Sequence, residues 1–271
     1  MRERNASNLA ALGLPALLLL CALLGPWIAP YDPNASNAAI ALQPPSAAHW
    51  FGADQLGRDI LSRVIVATRL DLVIAFSAVA LSGVVGSVVG AAIGYFRGFA
   101  DGAVSRLADV LMAFPLFALA MASVAAFGNS VANVIVVTAI VNLPFYIRLA
   151  RAETNIRRDV GYVEAARVGG SSHGRILFVF LLPNILSPLV VQASINLGWA
   201  VLNAAGLSFI GLGVRAPTPE WGVMVSDGAQ FISSGQWWVA LFPGLALMLA
   251  ALGFNLLGDA LRDIVDIRSR W

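Results

Sequence analysis

The chain has 271 residues, of which 59% are hydrophobic and only 12% are charged. Water-soluble domains carry about 45–50% apolar and about 25% charged residues, so this composition excludes an ordinary soluble fold and indicates a chain embedded in a lipid bilayer. The net charge is only +2, and all basic residues are arginines grouped between apolar runs, which argues against a nucleic-acid-binding protein. A single cysteine, Cys21, excludes a disulfide framework or a thiolate metal cluster within one chain.

Long stretches without charge predict the membrane spans, because a crossing helix needs ~20 apolar residues and a charge at its centre costs several kcal/mol. Five such stretches occur, at residues 5–31, 72–96, 110–147, 176–214 and 228–258. The third is long enough for two crossings joined by a turn at residues 128–130, where Gly, Asn and Ser follow one another. We therefore predict an all-α polytopic membrane helix bundle with about six transmembrane helices.

The first stretch follows Arg2 and Arg4, a pattern also found in secretory signals. Its apolar core is longer than a signal core and has no small-residue cleavage site, which favours an uncleaved helix. Thirteen of the 17 arginines would lie on the side of the amino terminus and only four, Arg58, Arg63, Arg69 and Arg215, on the other side. This bias predicts a multi-pass protein of the cytoplasmic (inner) membrane with both termini in the cytoplasm.

We divide the chain into residues 1–71, an N-terminal transmembrane helix with an outer segment, and residues 72–271, a core of membrane helices that contains the predicted cytoplasmic loop 148–183. The segment 32–71 is too polar to cross a membrane. In the next span Gly86, Gly90 and Gly94 recur every four residues and share one helix face. Such a face lets another helix approach closely, and we predict helix packing there, although a face that lines a moving pathway is a compatible alternative.

The connection at residues 148–183 is the longest predicted cytoplasmic loop and the richest in arginine. Residues 162–170 predict a short helix stopped by glycine, followed by a second apolar helix that reaches Pro183. Ala165 and Ala166 allow a partner to approach closely, Glu164 offers an anchor for a cation or backbone amides, and Gly170 permits a sharp reversal. The alternative is an ordinary solvated helical hairpin.

These residues resemble the EAA loop of ABC importer permeases, which the chain matches at Glu164, Ala165, Ala166, Gly170, Leu182 and Pro183. Phe180 stands where the family usually has isoleucine. The resemblance implies that the loop docks on an ATPase subunit and couples it to the membrane helices.

Further segments are similar to the second (C-type) permease of the dipeptide, oligopeptide and nickel importers, namely residues 51–63, 207–213, 217–222 and 255–263. Ala53 replaces a usual threonine, and Ala204 stands where an acidic residue is often found. The resemblance implies one peripheral helix with a five-helix core and import of short peptides, or alternatively of a nickel chelate or another small solute. Its implied partners are a homologous permease, two ATPase subunits and a substrate-binding protein.

Other function classes fit the sequence less well. With no lysine the chain lacks the phosphate-binding loop of an ATPase, so ATP and Mg would be used by partner subunits, and we predict no cofactor for this chain. The apolar stretches contain no Asp, Glu, Lys, Arg or His, which disfavours a secondary carrier. His49 and His173 fall on opposite sides of the predicted membrane and cannot share a metal, and no nucleophile–base pair predicts an enzyme. A membrane scaffold without transport is the remaining alternative.

Overall fold

The computed structural model describes the backbone of residues 2–268 and the side chains of residues 12–263. Over that range the chain is helical between its turns and loops, and the one β-type contact is an isolated bridge between Ala53 and Asp59. This confirms the predicted all-α class. The α-helices of this range are, in chain order, α1 Arg2–Ile28, α2 Ile60–Phe96, α3 Gly98–Ala113, α4 Leu116–Phe127, α5 Val131–Arg157, α6 Gly161–Val168, α7 His173–Arg175, α8 Leu186–Phe209, α9 Trp221–Ala229 and α10 Trp238–Arg268.

Four helical segments of the described range are long and apolar enough to cross a membrane: α2, α5, the α7–α8 run His173–Phe209, and Trp238–Asp263 of α10. The pair α3 and α4, bent by 95°, adds a fifth. The predicted number of six is reached only if α1 is counted, and the apolar part of α1 with described side chains is Leu12–Ile28.

The first crossing predicted within residues 110–147 is broken rather than straight. The break lies at Phe114 and Pro115, both of which have extended backbone angles between α3 and α4. Proline disfavours the helical conformation of the residue before it and provides no backbone N–H, so the helix ends there. The turn predicted at residues 128–130 is confirmed, because Gly128 has a positive φ and Ser130 caps α5 by accepting from the Asn133 backbone N–H.

Helix α2 begins twelve residues earlier than the predicted span, so the proposed division at residue 71 falls inside a continuous helix. The Asp59 side chain caps α2 by accepting from the Ser62 backbone N–H at 2.8 Å. At 37 residues the helix is about 55 Å long, well above the ~30 Å hydrocarbon thickness. Part of the helix must therefore extend beyond the apolar layer, and its first three turns contain the charged residues Arg63, Arg69 and Asp71.

The glycine face of α2 packs directly on α5. A Cβ atom at Gly86 would lie 2.6 Å from the Tyr146 Cβ, and one at Gly90 would lie 2.3 Å from the Ile147 carbonyl oxygen. At Gly94 the distance to the Arg151 carbonyl oxygen would be 2.7 Å. Any side chain at these positions would push the two helices apart, so α2 and α5 form the closely packed centre of the bundle. Helices α8 and α10 also pack on α2, and α1 packs on α2 and α10 at the periphery.

Candidate functional site

The helix α6 forms an exposed elbow at one end of the bundle, and we use the name elbow for residues 161–171. Its end is a Schellman turn: the Ser171 N–H donates to the Ala166 carbonyl and the Gly170 N–H donates to the Arg167 carbonyl. This turn requires a residue with positive φ, and Gly170 has φ +77°. The chain therefore reverses sharply after α6, as the sequence predicted.

Only one side of the elbow is attached to the bundle. Val163 is fully buried, and Ala166 packs against the same apolar core, as does Leu182. Glu164 and Ala165 are exposed on the opposite side, and Val168 is 90% exposed. Pro183 is exposed in the 3₁₀ turn Leu182–Ile185, and Phe180 is half-buried just before it. The structure thus separates the sequence-predicted residues into a presented face, Glu164 and Ala165, and a supporting set, Ala166 and Leu182.

The segment after the elbow is an irregular helix inserted deeply into the core. It runs from α7 through a π turn, Ile176–Leu181, and the 3₁₀ turn into α8. Ile176, Leu181 and Ile185 are fully buried along it. These side chains therefore anchor α8 and the elbow to one core.

Polar contacts also join the elbow region to the end of α2. Tyr95 Oη and His173 Nδ1 share a hydrogen bond of 2.8 Å, and Arg158 donates to the Tyr95 carbonyl oxygen at 3.3 Å. Arg97 donates to the Asn155 side-chain oxygen at 3.2 Å. The ends of α2 and α5 and the start of α7 therefore form one connected unit beneath the elbow.

The opposite end of the bundle contains a buried charged network that the sequence interpretation did not assign. We use the name outer cluster for its members, His49, Asp54, Arg58, Asp59 and Arg63. Asp54 pairs with Arg58 at 2.6 Å and lies 3.7 Å from Arg63, and all three side chains are at most 7% exposed. Asp59 binds His49 at 2.9 Å and also caps α2. His49 is thus held at the start of α2 and His173 at its end, far from each other.

Arg63 connects three parts of the chain. It donates to the Pro33 carbonyl oxygen at 2.8 Å and to the Pro217 carbonyl oxygen at 3.4 Å, while its own backbone belongs to α2. The segment after α1 and the loop before α9 are therefore fastened to the start of α2 through one guanidinium group. The dense charges at residues 54–63 were the available sequence signal, but sequence alone does not show that they are buried.

A second polar contact lies deeper in the same end of the bundle. The Glu220 carboxylate caps α9 by accepting from the Val223 N–H at 2.7 Å, and Asp71 accepts from the Trp221 N–H at 3.2 Å. Burial raises the pKa of Glu220 above its usual range. Ala204, which leaves α8 without the carboxylate expected there, is buried in the apolar cluster that also contains Ile74.

Comparison with known proteins identifies the family that has this architecture. Residues 83–271 match the family described as binding-protein-dependent transport system inner membrane component. The chain belongs to this family. Residues 4–45 also match the N-terminal transmembrane domain of oligopeptide transport permease C. The protein is accordingly a multi-pass membrane permease subunit of an ABC importer.

Relatives of this permease align over nearly its whole length. It is 44% identical to a probable D,D-dipeptide transport permease, DdpC, of Escherichia coli, over 92% of this chain and 84% of that protein. It is 42% identical to the dipeptide transport permease DppC of Alkalihalophilus pseudofirmus, over 98% and 88%. The glutathione transport permease GsiD of Pectobacterium atrosepticum is also 42% identical, over 94% and 85%.

The permease fold is also found in a solved transporter. A structure of the MetNI methionine ABC transporter in inward-facing conformations aligns with a TM-score of 0.59 and 20% identity. The alignment covers 74% of this permease and 96% of that chain. At this identity the likeness establishes the shared helix arrangement.

Proposed function

We propose that this permease subunit carries short peptides, di- or oligopeptides, across the cytoplasmic membrane, and that the elbow couples it to separate ATPase subunits. The observation that carries the proposal is the elbow itself: a short helix with Glu164 and Ala165 exposed, and with Val163 and the following segment anchored in the core. A helix with one presented face and one anchored face can receive force from a partner and pass it into α8. The resulting motion would be a rigid-body change between two packings of the bundle.

The peptide substrate is supported by the relatives. DdpC and DppC are named as dipeptide transport permeases and GsiD as a glutathione transport permease. Their alignment spans more than nine-tenths of this chain, including the outer cluster and the elbow. Side chains of the chain itself do no bond chemistry in this proposal; ATP and Mg are used by the ATPase subunits, and the other partners are a homologous permease and a substrate-binding protein.

The arrangement of the helix ends supports a cytoplasmic location for both termini. Gly253 of α10 lies against Leu14 of α1, and Gly258 lies against Ile195 in the first half of α8. The terminal parts of α1 and α10 are therefore at the elbow's end of the bundle. Because the arginine-rich side faces the cytoplasm in membrane proteins, this end is the cytoplasmic one in our proposal.

Cross-linking in the assembled transporter tests the coupling role. In a Cys21→Ser background, Ala165→Cys is placed on the exposed face of the elbow, and Ser234→Cys, exposed beyond α9, is the matched control at the opposite end. We expect a cysteine-to-lysine cross-linker to join the ATPase to position 165 and not to position 234. Glu164→Arg should abolish uptake of a labelled dipeptide in proteoliposomes.

Two results would contradict the proposal. Normal dipeptide uptake by Glu164→Arg would show that the elbow does not couple the permease to the ATPase subunits. If a nickel chelate competed for uptake and unlabelled di- and tripeptides did not, the substrate would be a nickel chelate and not a peptide. The proposed coupling role of the elbow would be unaffected.

A further inference from the structure

A pair of buried carboxylates lies where the outer loop, residues 210–220, meets α2. This pair is separate from the outer cluster. Asp71, on α2, is 2% exposed, and Glu220, the residue before α9, is fully buried. Asp71 accepts from the Trp221 N–H and Glu220 accepts from the Val223 N–H, so both carboxylates lie at the amino terminus of α9. They come from positions 149 residues apart in the chain, so only the fold brings them together.

Each carboxylate has one oxygen left without a donor. Asp71 Oδ1 and Glu220 Oε1 are both buried, and neither has a hydrogen-bond partner while both groups are ionised. An ionised carboxylate only accepts hydrogen bonds, so two of them cannot satisfy each other. A single proton changes this, because the protonated group becomes a donor to the other.

Other charged groups nearby do not neutralise the pair. Arg58 and Arg63 are directed to Asp54, and Arg69 on α2 and Arg215 on the outer loop are exposed. Asp227 on α9, which is partly buried, acts on Arg63 and adds negative charge. α8 contributes the neutral hydroxyl of Ser208, and residues 238–258 of α10 contain no titratable side chain.

We propose that Asp71 and Glu220 bind one proton between them, and that this shared proton fastens the outer loop, residues 210–220, to α2. Two like charges in a buried site cannot both remain ionised without a compensating cation, and sharing one proton is the usual solution. The Glu220 carboxylate is the better place for the remaining charge, since it caps the positive amino terminus of α9. Asp71 is then the donor.

The proposal has a defined dependence on pH. Two carboxyls that share a proton in the folded protein are separated in the unfolded chain, so the folded state binds more protons over the pH range where free carboxyls are ionised. The stability of the outer end is therefore greatest at acidic pH and falls as pH rises above the ordinary carboxyl pKa, until the proton has left the folded pair. Loss of the proton leaves two adjacent buried negative charges, which would loosen the loop from α2.

The test compares Asp71→Asn with the wild type in the complete, purified transporter. Asparagine has the same shape and donates an N–H to Glu220 at every pH, so it imitates the protonated aspartate. Between about pH 5.5 and about pH 9 we expect the wild-type melting temperature to fall by several degrees relative to that of Asp71→Asn. Asp263→Asn, at an exposed position, should follow the wild type.

Infrared spectroscopy gives an independent readout that does not depend on melting. A carboxylic acid C=O band should be present in the wild type at neutral pH and absent from Asp71→Asn. Glu220→Gln provides a second variant, in which the amide can donate to an ionised Asp71, and it should also lose the band and the pH dependence. The proposal would be overturned if the melting temperatures of the wild type and Asp71→Asn changed in parallel with pH and the infrared band were unchanged in Asp71→Asn. A wild-type alkaline transition that moves with sodium concentration at constant ionic strength would also overturn it, because the pair would then hold a cation.

Discussion

The two ends of α2 are organised by different interactions. At its start the outer cluster buries Asp54, Arg58 and Arg63. The Arg63 guanidinium there joins three chain segments by donating to the carbonyl oxygens of Pro33 and Pro217. At its end the elbow is attached mainly by apolar side chains, and its polar face is left exposed. Buried ion pairs depend strongly on geometry. We therefore expect the start of α2 to hold its arrangement more firmly than the elbow, which is attached to the bundle along one side only.

The largest effect should come from breaking the outer cluster. Arg63→Ala removes the donor to the Pro33 and Pro217 carbonyl oxygens and leaves the buried Asp54 with only one arginine. Each of the two charge-assisted hydrogen bonds that are lost contributes about 1.5–3 kcal/mol. We expect a large fall in melting temperature in detergent. The control is Arg148→Ala, which breaks a half-exposed pair with Asp109 and should cost about 1 kcal/mol or less. Equal falls in melting temperature for the two variants would show that the outer cluster does not contribute more stability than a surface ion pair.

A smaller effect is expected in the middle of α2, which connects the two ends. Gly90→Ala would place a Cβ atom 2.3 Å from the Ile147 carbonyl oxygen, so α5 must move away, at a cost of about 1–3 kcal/mol. Gly83→Ala is the matched control, because its Cβ atom would meet the Tyr146 ring at an ordinary 3.5 Å. Unfolding of the two variants in denaturant should separate them; a Gly90→Ala protein as stable as Gly83→Ala would contradict the close packing of α2 on α5.

The next effect concerns the shape of the elbow. Gly170→Ala introduces a side chain at φ +77°, which costs about 1–2 kcal/mol even though nothing lies within 4 Å. Gly174→Ala also enters open space but lacks the positive φ. Hydrogen exchange should therefore show faster opening of α6 only in Gly170→Ala, with reduced dipeptide uptake. Similar exchange in both variants would mean that the Schellman turn does not hold the elbow.

The smallest effect on stability should accompany Glu164→Gln. The side chain is exposed, so the free energy of unfolding should change by less than about 0.5 kcal/mol. Uptake and substrate-stimulated ATP hydrolysis should nevertheless fall, because the charge faces the proposed ATPase contact. Asp109→Asn, a half-exposed acid elsewhere, should leave both activities near wild type. Unaltered ATP hydrolysis in Glu164→Gln would indicate that the elbow couples by shape and not by charge.

Much of the elbow was predictable because its signals are local. The glycine stop and the apolar run up to Pro183 are read from neighbouring residues, and helix capping depends on just such neighbours. The bend at Pro115 was equally local and was missed because proline was counted as part of an apolar stretch. The early start of α2 was missed for a different reason: its first turns carry Arg63, Arg69 and Asp71, so a search for charge-free stretches excluded them.

The sequence by itself determined the class of the protein: its apolar stretches require helices that cross a bilayer, since only internally hydrogen-bonded segments are stable there. It also determined the local form of the elbow and the glycine face of α2. Only the tertiary structure decided which charges are buried and with what partners, because Arg63 meets Pro217 and Asp71 meets Glu220 across about 150 residues of chain. Such pairings depend on where whole helices are placed, and helix placement results from packing over the entire bundle.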